Sequence, residues 1–176
     1  TGLMLGALAV NIHVQDTYFV VGHFHYVMFG GTGFGLFAAM HYWFPKMFGR
    51  MYAKKPAFLA WILTTIGFNT LYLPFFFLGY SGMPRRYYDY LPEFQYLHVI
   101  STVGSWILIL GMIIMFVNLF VSIRRGQRAP ANPWGGETLE WTVASPPPLE
   151  NFAEIPVVTA GPYEYSAYAK EPVEAP

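Results

Sequence analysis

Three long apolar segments, separated by short charged loops, organise most of the chain. Their approximate ranges are residues 15–44, 57–78 and 96–123. A helix needs about 20 predominantly apolar residues to cross the hydrocarbon layer of a membrane, so the pattern predicts three transmembrane helices. Within the second segment, Asn69 is expected to bond to a neighbouring helix and Pro74 to kink its own helix.

The residues on either side of these segments have a different character. Residues 1–13 begin in the middle of a hydrophobic pattern, like the end of a preceding helix and a connecting loop, and residues 14–126 hold the predicted spans. Residues 127–176 carry prolines and glutamates without a long apolar run, which predicts an extended tail on the protein surface. We therefore expect an all-α membrane protein with three transmembrane helices and an extended C-terminal tail. It would form the C-terminal part of a longer polypeptide and of a larger helical bundle, with a naturally split subunit as the alternative.

Composition favours the same class. Hydrophobic residues make up 55% of the 176 residues and charged residues 11%, whereas soluble domains carry about 25% charged residues. Zero net charge without a clustered basic patch argues against nucleic-acid binding. The chain has no cysteine, which excludes disulfides, iron–sulfur clusters and thiolate-ligated copper within these residues.

Basic residues are unevenly distributed among the loops. Four follow the first apolar segment and three follow the third, whereas the loop between the second and third has two. Because basic residues favour the cytoplasmic side of a membrane, the first loop and the tail are expected inside and the intervening loop outside. The residues after the first segment are Lys46, Arg50, Lys54 and Lys55. Those after the third segment are Arg124, Arg125 and Arg128, and those in the intervening loop are Arg85 and Arg86.

Two histidines interrupt the first apolar segment, in the triplet His23-Phe24-His25. The apolar run around them is far longer than an ordinary strand and does not alternate throughout, so a helix is expected. Residues two apart on a helix point about 200° from each other. The two imidazoles therefore cannot hold one metal ion, which needs a spacing of three or four residues. Each must reach a different partner on its own side of the helix.

Imidazoles inside a membrane span are costly and mark functional sites by default. One interpretation is a pair of core histidines that hydrogen-bond to neighbouring helices. The other follows from chemistry, because neutral imidazole is a common metal ligand and the usual proximal ligand of haem iron. A porphyrin is flat enough to pack against an aromatic, glycine-bearing helix face, so the triplet predicts two haem sites.

Arg85 and Arg86 follow the turn Gly82-Met83-Pro84 on the predicted outer side. Two arginines at a membrane boundary can simply anchor a helix at the lipid headgroups. An outer position opposes the positive-inside bias, however, and so favours a buried anionic partner. Haem propionates are such a partner, because the planar guanidinium group binds carboxylates through two parallel hydrogen bonds.

Three motifs, in this order, resemble subunit I of the haem–copper oxidases, of the cytochrome c oxidase type. DTYFVVGHFHYV, which begins at residue 16, resembles the tenth transmembrane helix of that subunit. FLGYSGMPRRYYDY at residues 77–90 and NPWGGETLEWTVASPPP at residues 132–148 resemble its later landmarks. The resemblance covers nearly the whole chain, and it implies the same helical membrane fold.

The resemblance also implies roles for four residues. His23 corresponds to the axial ligand of the high-spin haem, where dioxygen binds in catalysis. His25 corresponds to one of two axial ligands of the low-spin haem. Arg85 and Arg86 correspond to the arginine pair that holds the propionates of both haems.

A magnesium site is implied near Asp16, but with altered ligands. The family usually has histidine before this aspartate and an acidic residue five positions before it, whereas this chain has Gln15 and Asn11. Amide oxygens can ligate a hard cation such as magnesium, so Asp16 and Gln15 remain candidate ligands, with His13 as a possible compensation. The alternative for Asp16 is a carboxylate that interacts with the positive end of the helix dipole.

The resemblance implies an oxidoreductase of the respiratory chain that reduces dioxygen to water and translocates protons. Its expected cofactors are two haems, of the A type, and copper held by residues outside this chain. Its expected partners are the other helices of subunit I, subunit II with a dicopper site, subunit III, cytochrome c and membrane lipid. The expected location is the bacterial cytoplasmic membrane or the mitochondrial inner membrane. The 176 residues lack the copper ligands and would be inactive alone.

The sequence is also compatible with two alternatives. A quinol oxidase subunit I usually has asparagine at the position of Tyr26, and a dicopper site in the partner subunit would distinguish it from a cytochrome c oxidase. A non-catalytic membrane scaffold would use the histidines only to join helices, and it would lack the Soret absorbance of haem.

Overall fold

The computed structural model describes residues 1–152, 154–157, 161, 163 and 164, and it confirms the all-α class. No strand forms among these residues. The described residues form six α-helices, one π-helical turn and two 3₁₀ turns. They are α1 (Gly2–Gly6), α2 (Leu8–Val14), α3 (Tyr18–Val27), a π-helical turn (Met28–Gly33), α4 (Phe34–Phe48), α5 (Lys54–Tyr80), a 3₁₀ turn (Pro92–Phe94), α6 (Gln95–Arg125) and a second 3₁₀ turn (Leu139–Trp141).

Two helices in the described part of the chain are long and apolar enough to cross a membrane, namely α5 and the helical segment Pro92–Arg125. The first predicted span is also helical, but the π-helical turn separates it into α3 and α4. That turn has the sequence MFGGTG, whose three glycines are poor α-helix formers. The helical fold is thus confirmed, whereas three membrane crossings remain a prediction.

The chain forms two compact units. The first contains Thr1–Phe37 and Lys54–Val117, and the second contains Ala38–Ala53 with the described residues from Asn118 onward. In the first unit, glycines let α5 and α6 approach closely. A Cβ added at Gly67 would overlap the backbone of Leu108, and one at Gly111 would lie 2.6 Å from the hydroxyl of Thr64. Small residues at helix crossings are typical of membrane proteins, where packing rather than hydrophobic burial drives association.

A second close contact joins α3 to α5. A Cβ added at Gly79 would overlap the backbone of Phe19, and one at Gly22 would lie 3.1 Å from the ring of Phe76. The Tyr26 hydroxyl donates a hydrogen bond to Oδ1 of Asn69 across this interface, at 2.8 Å, which confirms that Asn69 bonds to a neighbouring helix. The contact therefore combines close backbone packing with a hydrogen bond between the two helices.

In the second unit, the start of the tail is held against the segment after α4. The amide of Met51 donates to the carbonyl of Gln127 at 2.8 Å, and the amide of Ala129 donates to the carbonyl of Gly49 at 3.0 Å. Gly49 has a left-handed φ of 62°, and a Cβ there would lie 2.6 Å from Pro146. The predicted tail thus begins as an irregular segment bound to the chain, and its residues 153, 158–160, 162 and 165–176 lie outside the described part.

Lys46 anchors this tail. Its side chain is only 8% exposed, and its ammonium group donates to the carbonyls of Ala131, Val143 and Ala144. It also lies over the ring of Trp141, 5.1 Å from the centroid. An ammonium group has three donors, and all three are used here. A buried charge is costly without partners, so these contacts stabilise both the lysine and the tail.

We predict that Lys46→Met loosens the tail, because methionine keeps most of the apolar stem but leaves three carbonyls without their donor. Hydrogen bonds to charged groups contribute about 1.5–3 kcal/mol, so amides 126–146 should exchange hydrogen roughly tenfold faster or more. Hydrogen exchange and limited proteolysis of the solubilised protein measure this. Lys55→Met, at an exposed position, is the matched control and should leave exchange unchanged. Equal protection in both variants would contradict the anchoring role.

Candidate functional site

The two histidines of α3 contact different parts of the first unit. Nδ1 of His23 lies 2.9 Å from the hydroxyl of Thr1, and a Cβ at Gly2 would lie 3.2 Å from Cε1 of the same ring. The ring of His25 instead stacks on Tyr72 of α5, with 4.2 Å between centroids. Residues on the same helix thus reach different partners, as the spacing of two predicts.

The chemistry of His25 suits a metal ligand. Its Nδ1 donates to the carbonyl of Val21 at 2.8 Å, and because a carbonyl only accepts, this nitrogen must carry the proton. In the neutral ring the lone pair then lies on Nε2. A backbone carbonyl at Nδ1 is a common partner of histidines that bind metals, since it sets the tautomer and raises the basicity of the ligand. Nε2 of His25 would therefore fit as one ligand to a metal such as haem iron.

The loop after α5 is tied by its backbone to the start of α3. The amide of Tyr18 donates to the carbonyl of Met83 at 3.0 Å, and the amide of Arg85 donates to the carbonyl of Asp16 at 2.9 Å. Thr17 and Pro84 pair between these two bonds as an antiparallel bridge. Met83 is 3% exposed and packs with the core of this unit. The arginine pair is consequently held beside the N-terminal end of the histidine helix.

Arg85 lies close to the residue between the two histidines. Its guanidinium carbon is 5.9 Å from the centroid of the Phe24 ring, a distance at which a cation interacts favourably with an aromatic face. Arg85 is half-buried, whereas Arg86 is exposed. Arg86 has a left-handed φ of 68°, which is uncommon for a residue with a side chain and costs on the order of 1–3 kcal/mol. Backbone strain of this kind occurs often at ligand sites.

The surroundings of Asp16 are formed mainly by backbone contacts. Among the described residues, no group of three or more histidine, aspartate or glutamate side chains could hold a metal ion. Asp16 has a left-handed φ of 57°, and its carbonyl accepts the bond from Arg85. The cap of α3 is the next residue, since the hydroxyl of Thr17 accepts from the amide of Phe19 at 3.2 Å. A magnesium site at Gln15 and Asp16 remains a prediction.

Three contacts at this site have no signal in the sequence. They are the stacking of Tyr72 on His25, the position of Arg85 over Phe24, and the contact of Thr1 with His23. Each joins residues far apart in the chain. Tyr72 is one aromatic residue among many in α5, so the pattern alone does not single it out.

Comparisons with known proteins identify the family. The family model described as cytochrome c and quinol oxidase polypeptide I matches residues 1–107. The fold is that of a helical membrane protein with an aromatic-flanked histidine pair on one helix. The chain belongs to the cytochrome c and quinol oxidase polypeptide I family, an oxidoreductase family of membrane proteins.

Similar curated proteins are named cytochrome c oxidase subunit 1. The protein of Thermostichus vulcanus is 49% identical over 94% of this chain, and that of Synechocystis sp. is 50% identical over 94%. The protein of Bacillus subtilis is 44% identical over 90%. The chain spans 30%, 30% and 26% of the length of these three relatives, so it corresponds to a part of such a subunit.

The contact of α3 with α5 gives a prediction for the site. Gly79→Ala should destabilise the protein by about 1–3 kcal/mol, because the added methyl group would overlap the backbone of Phe19 and push the two helices apart. Thermal unfolding of the solubilised protein measures the effect. Gly35→Ala is the control, since a Cβ there has no neighbour within 4 Å and alanine favours a helix over glycine. If neither substitution changed the thermal stability, the close contact of α3 with α5 would not contribute to the stability of the protein.

Proposed function

We propose that this chain is the C-terminal part of the catalytic subunit of a terminal oxidase that binds two haems. The complete enzyme would reduce dioxygen to water with electrons from cytochrome c and translocate protons. The observation that carries the proposal is the triplet on α3. His23 and His25 contact different parts of the chain, and Arg85 lies over Phe24 between them.

Each histidine would bind one iron as an axial ligand. His25 would hold the low-spin haem through Nε2, supported by its Nδ1 bond to Val21 and by stacking on its face. His23 would hold the high-spin haem, at which dioxygen binds. The haems, when bound, supply the one-electron and dioxygen chemistry. The chain supplies the orientation of both ligands and a short covalent path between them through the backbone and Phe24.

Arg85 and Arg86 would bind the propionate carboxylates. Arg85 is the stronger candidate because it is half-buried and already lies beside Phe24. Its backbone bond to Asp16 keeps the loop in place without using the guanidinium donors. Among the described residues, none accepts a hydrogen bond from this guanidinium group, so its five donors would be open to carboxylate partners or water.

The complete enzyme needs parts that lie outside this chain. Copper ligands, the second ligand of the low-spin haem and the remaining helices would come from the rest of subunit I. A dicopper site in subunit II would pass electrons from cytochrome c, and subunit III would complete the assembly. Haem A is the expected type. We propose that the tail and the loop after α4 face the inside of the bacterial cytoplasmic membrane or of its mitochondrial equivalent.

A quinol oxidase is the second candidate, because the family whose model matches this chain includes both classes. The similar curated proteins are named cytochrome c oxidases, which favours the first candidate. Spectroscopic detection of a dicopper centre in the partner subunit of the purified complex would decide between them.

The two-haem proposal predicts separable spectral effects. His25→Met should remove or alter the low-spin haem signals, whereas His23→Met should disturb the haem that binds carbon monoxide. Optical and carbon-monoxide difference spectra of the assembled complex measure both. His13→Gln, an exposed position, should leave both spectra intact. Loss of one and the same spectral species in both variants would overturn the assignment of one haem to each histidine.

The arginine proposal predicts a change in redox potential. Removing a positive charge near the iron favours its oxidised, more positively charged form and so lowers the midpoint potential. One kcal/mol corresponds to about 43 mV for a one-electron couple, by scaling the two-electron conversion. Arg85→Met should therefore lower the potential of the low-spin haem by tens of millivolts, roughly 1 kcal/mol. The effect of Arg86→Met should be smaller, because its exposed charge is screened by water.

Redox titration of membranes that contain each variant measures these potentials. The potential in Arg85→Lys should lie between those of the wild type and Arg85→Met. Lysine keeps the positive charge but lacks the planar guanidinium group that binds a carboxylate through two hydrogen bonds. Arg124→Met, exposed at the end of α6, is the charge-matched control. If both methionine variants kept full haem content and unchanged potentials, the propionate role would be contradicted. The arginine pair would then serve only to anchor the chain at the lipid headgroups.

A further inference from the structure

Tyr72 is the residue of α5 whose ring lies flat against His25. The ring centroids are 4.2 Å apart and the planes differ by 18°. The neighbouring Phe24 ring also stacks on this imidazole, at 4.5 Å and 29°. The Tyr72 contact is shorter and more nearly parallel, and it comes from a different helix. It therefore links the orientation of one imidazole to the packing of α5 against α3.

We propose that Tyr72 is a positioning residue that sets the plane of the His25 imidazole, and this inference rests on His25 being a haem ligand. The bond from Nδ1 to Val21 fixes the tautomer and one edge of the ring. A single hydrogen bond at an edge leaves the ring free to rock about that bond. Stacking on a flat partner removes this remaining freedom.

Tyr72 can act as this flat partner because other aromatic side chains fix the position of its own ring. Phe75 meets it edge-on, with centroids 5.6 Å apart and planes at 90°. Phe68 packs against it at 5.2 Å with planes at 58°. Edge-to-face and offset contacts are the favourable geometries of aromatic pairs. Because α3 and α5 approach closely at Gly79, the ring of Tyr72 lies in contact with the imidazole of His25.

The plane of an axial imidazole affects the metal that it binds. The ring overlaps with only some of the iron d orbitals, so turning the ring changes how those orbitals split. Residues behind a metal ligand act in this way, by orienting the ligand rather than by touching the metal. In a low-spin ferric haem, the spread of the electron paramagnetic resonance g-values reports that splitting. A residue that only fills space would not change the g-values in a haem-loaded protein.

The test compares four variants of the complete subunit in its assembled complex. Tyr72→Leu removes the flat face, and Tyr72→Met does so with an unbranched side chain that refills the space. Tyr72→Phe keeps the face and loses only the hydroxyl. Phe76→Leu is the matched control, because Phe76 also lies on α5 at the same interface but packs on Phe19 and Tyr26 instead of His25.

We expect the g-values of the low-spin haem to move beyond the line width in Tyr72→Leu and Tyr72→Met, with Tyr72→Phe and Phe76→Leu matching the wild type. Loss of low-spin haem from both non-aromatic variants, with Tyr72→Phe and Phe76→Leu fully loaded, would also support the proposal. Wild-type g-values in Tyr72→Leu would overturn it, as would an equal shift in Phe76→Leu. An unaltered low-spin signal in His25→Met would contradict the proposed function itself. Failure of the Tyr72 proposal alone would leave the effect of His25→Met intact, so the two outcomes can be distinguished.

Discussion

The close contact between the start of α3 and the end of α5 is the constraint on which the candidate site depends. Gly79 leaves no room for a side chain against the backbone of Phe19. Immediately beyond it, the loop is bonded to Asp16 and Tyr18 through main-chain atoms. The histidine helix and the arginine loop are thus positioned by backbone contacts. Backbone atoms have less freedom than long side chains, so the site is largely formed before any ligand arrives.

The part of this arrangement that depends on helical period was predictable from the sequence. Two residues of separation place His23 and His25 on different sides of α3, and their contacts in the structure follow that rule. The polar Asn69 within an apolar helix likewise implied a bond to another helix. Its partner, Tyr26, was not predictable, because the register of two packed helices depends on which small residues meet, and periodicity does not rank them.

Lys46 illustrates a different limit of prediction. A lysine just beyond an apolar run is typical of the cytoplasmic side of a membrane, and Lys46 is one of the four basic residues that predict the inner side for the first loop. Its ammonium group instead binds carbonyls 85 to 98 residues later in the chain. Backbone carbonyls have no signature in a sequence, since every residue has one. Without Lys46, three basic residues still lie between the first and second apolar segments, so the predicted orientation is unchanged.

The π-helical turn at Met28–Gly33 changes how the surface of this helix has to be mapped. A π-helical turn acts as one residue inserted into an α-helix, and each residue of an α-helix turns the chain by about 100°. Residues 34–37, which follow the turn within the first unit, are therefore rotated by about that angle from where an uninterrupted continuation of α3 would put them. A helical wheel drawn across both segments would assign side chains to the wrong face. Along this region, the helical periodicity of tolerated and harmful substitutions should therefore be interrupted at the turn.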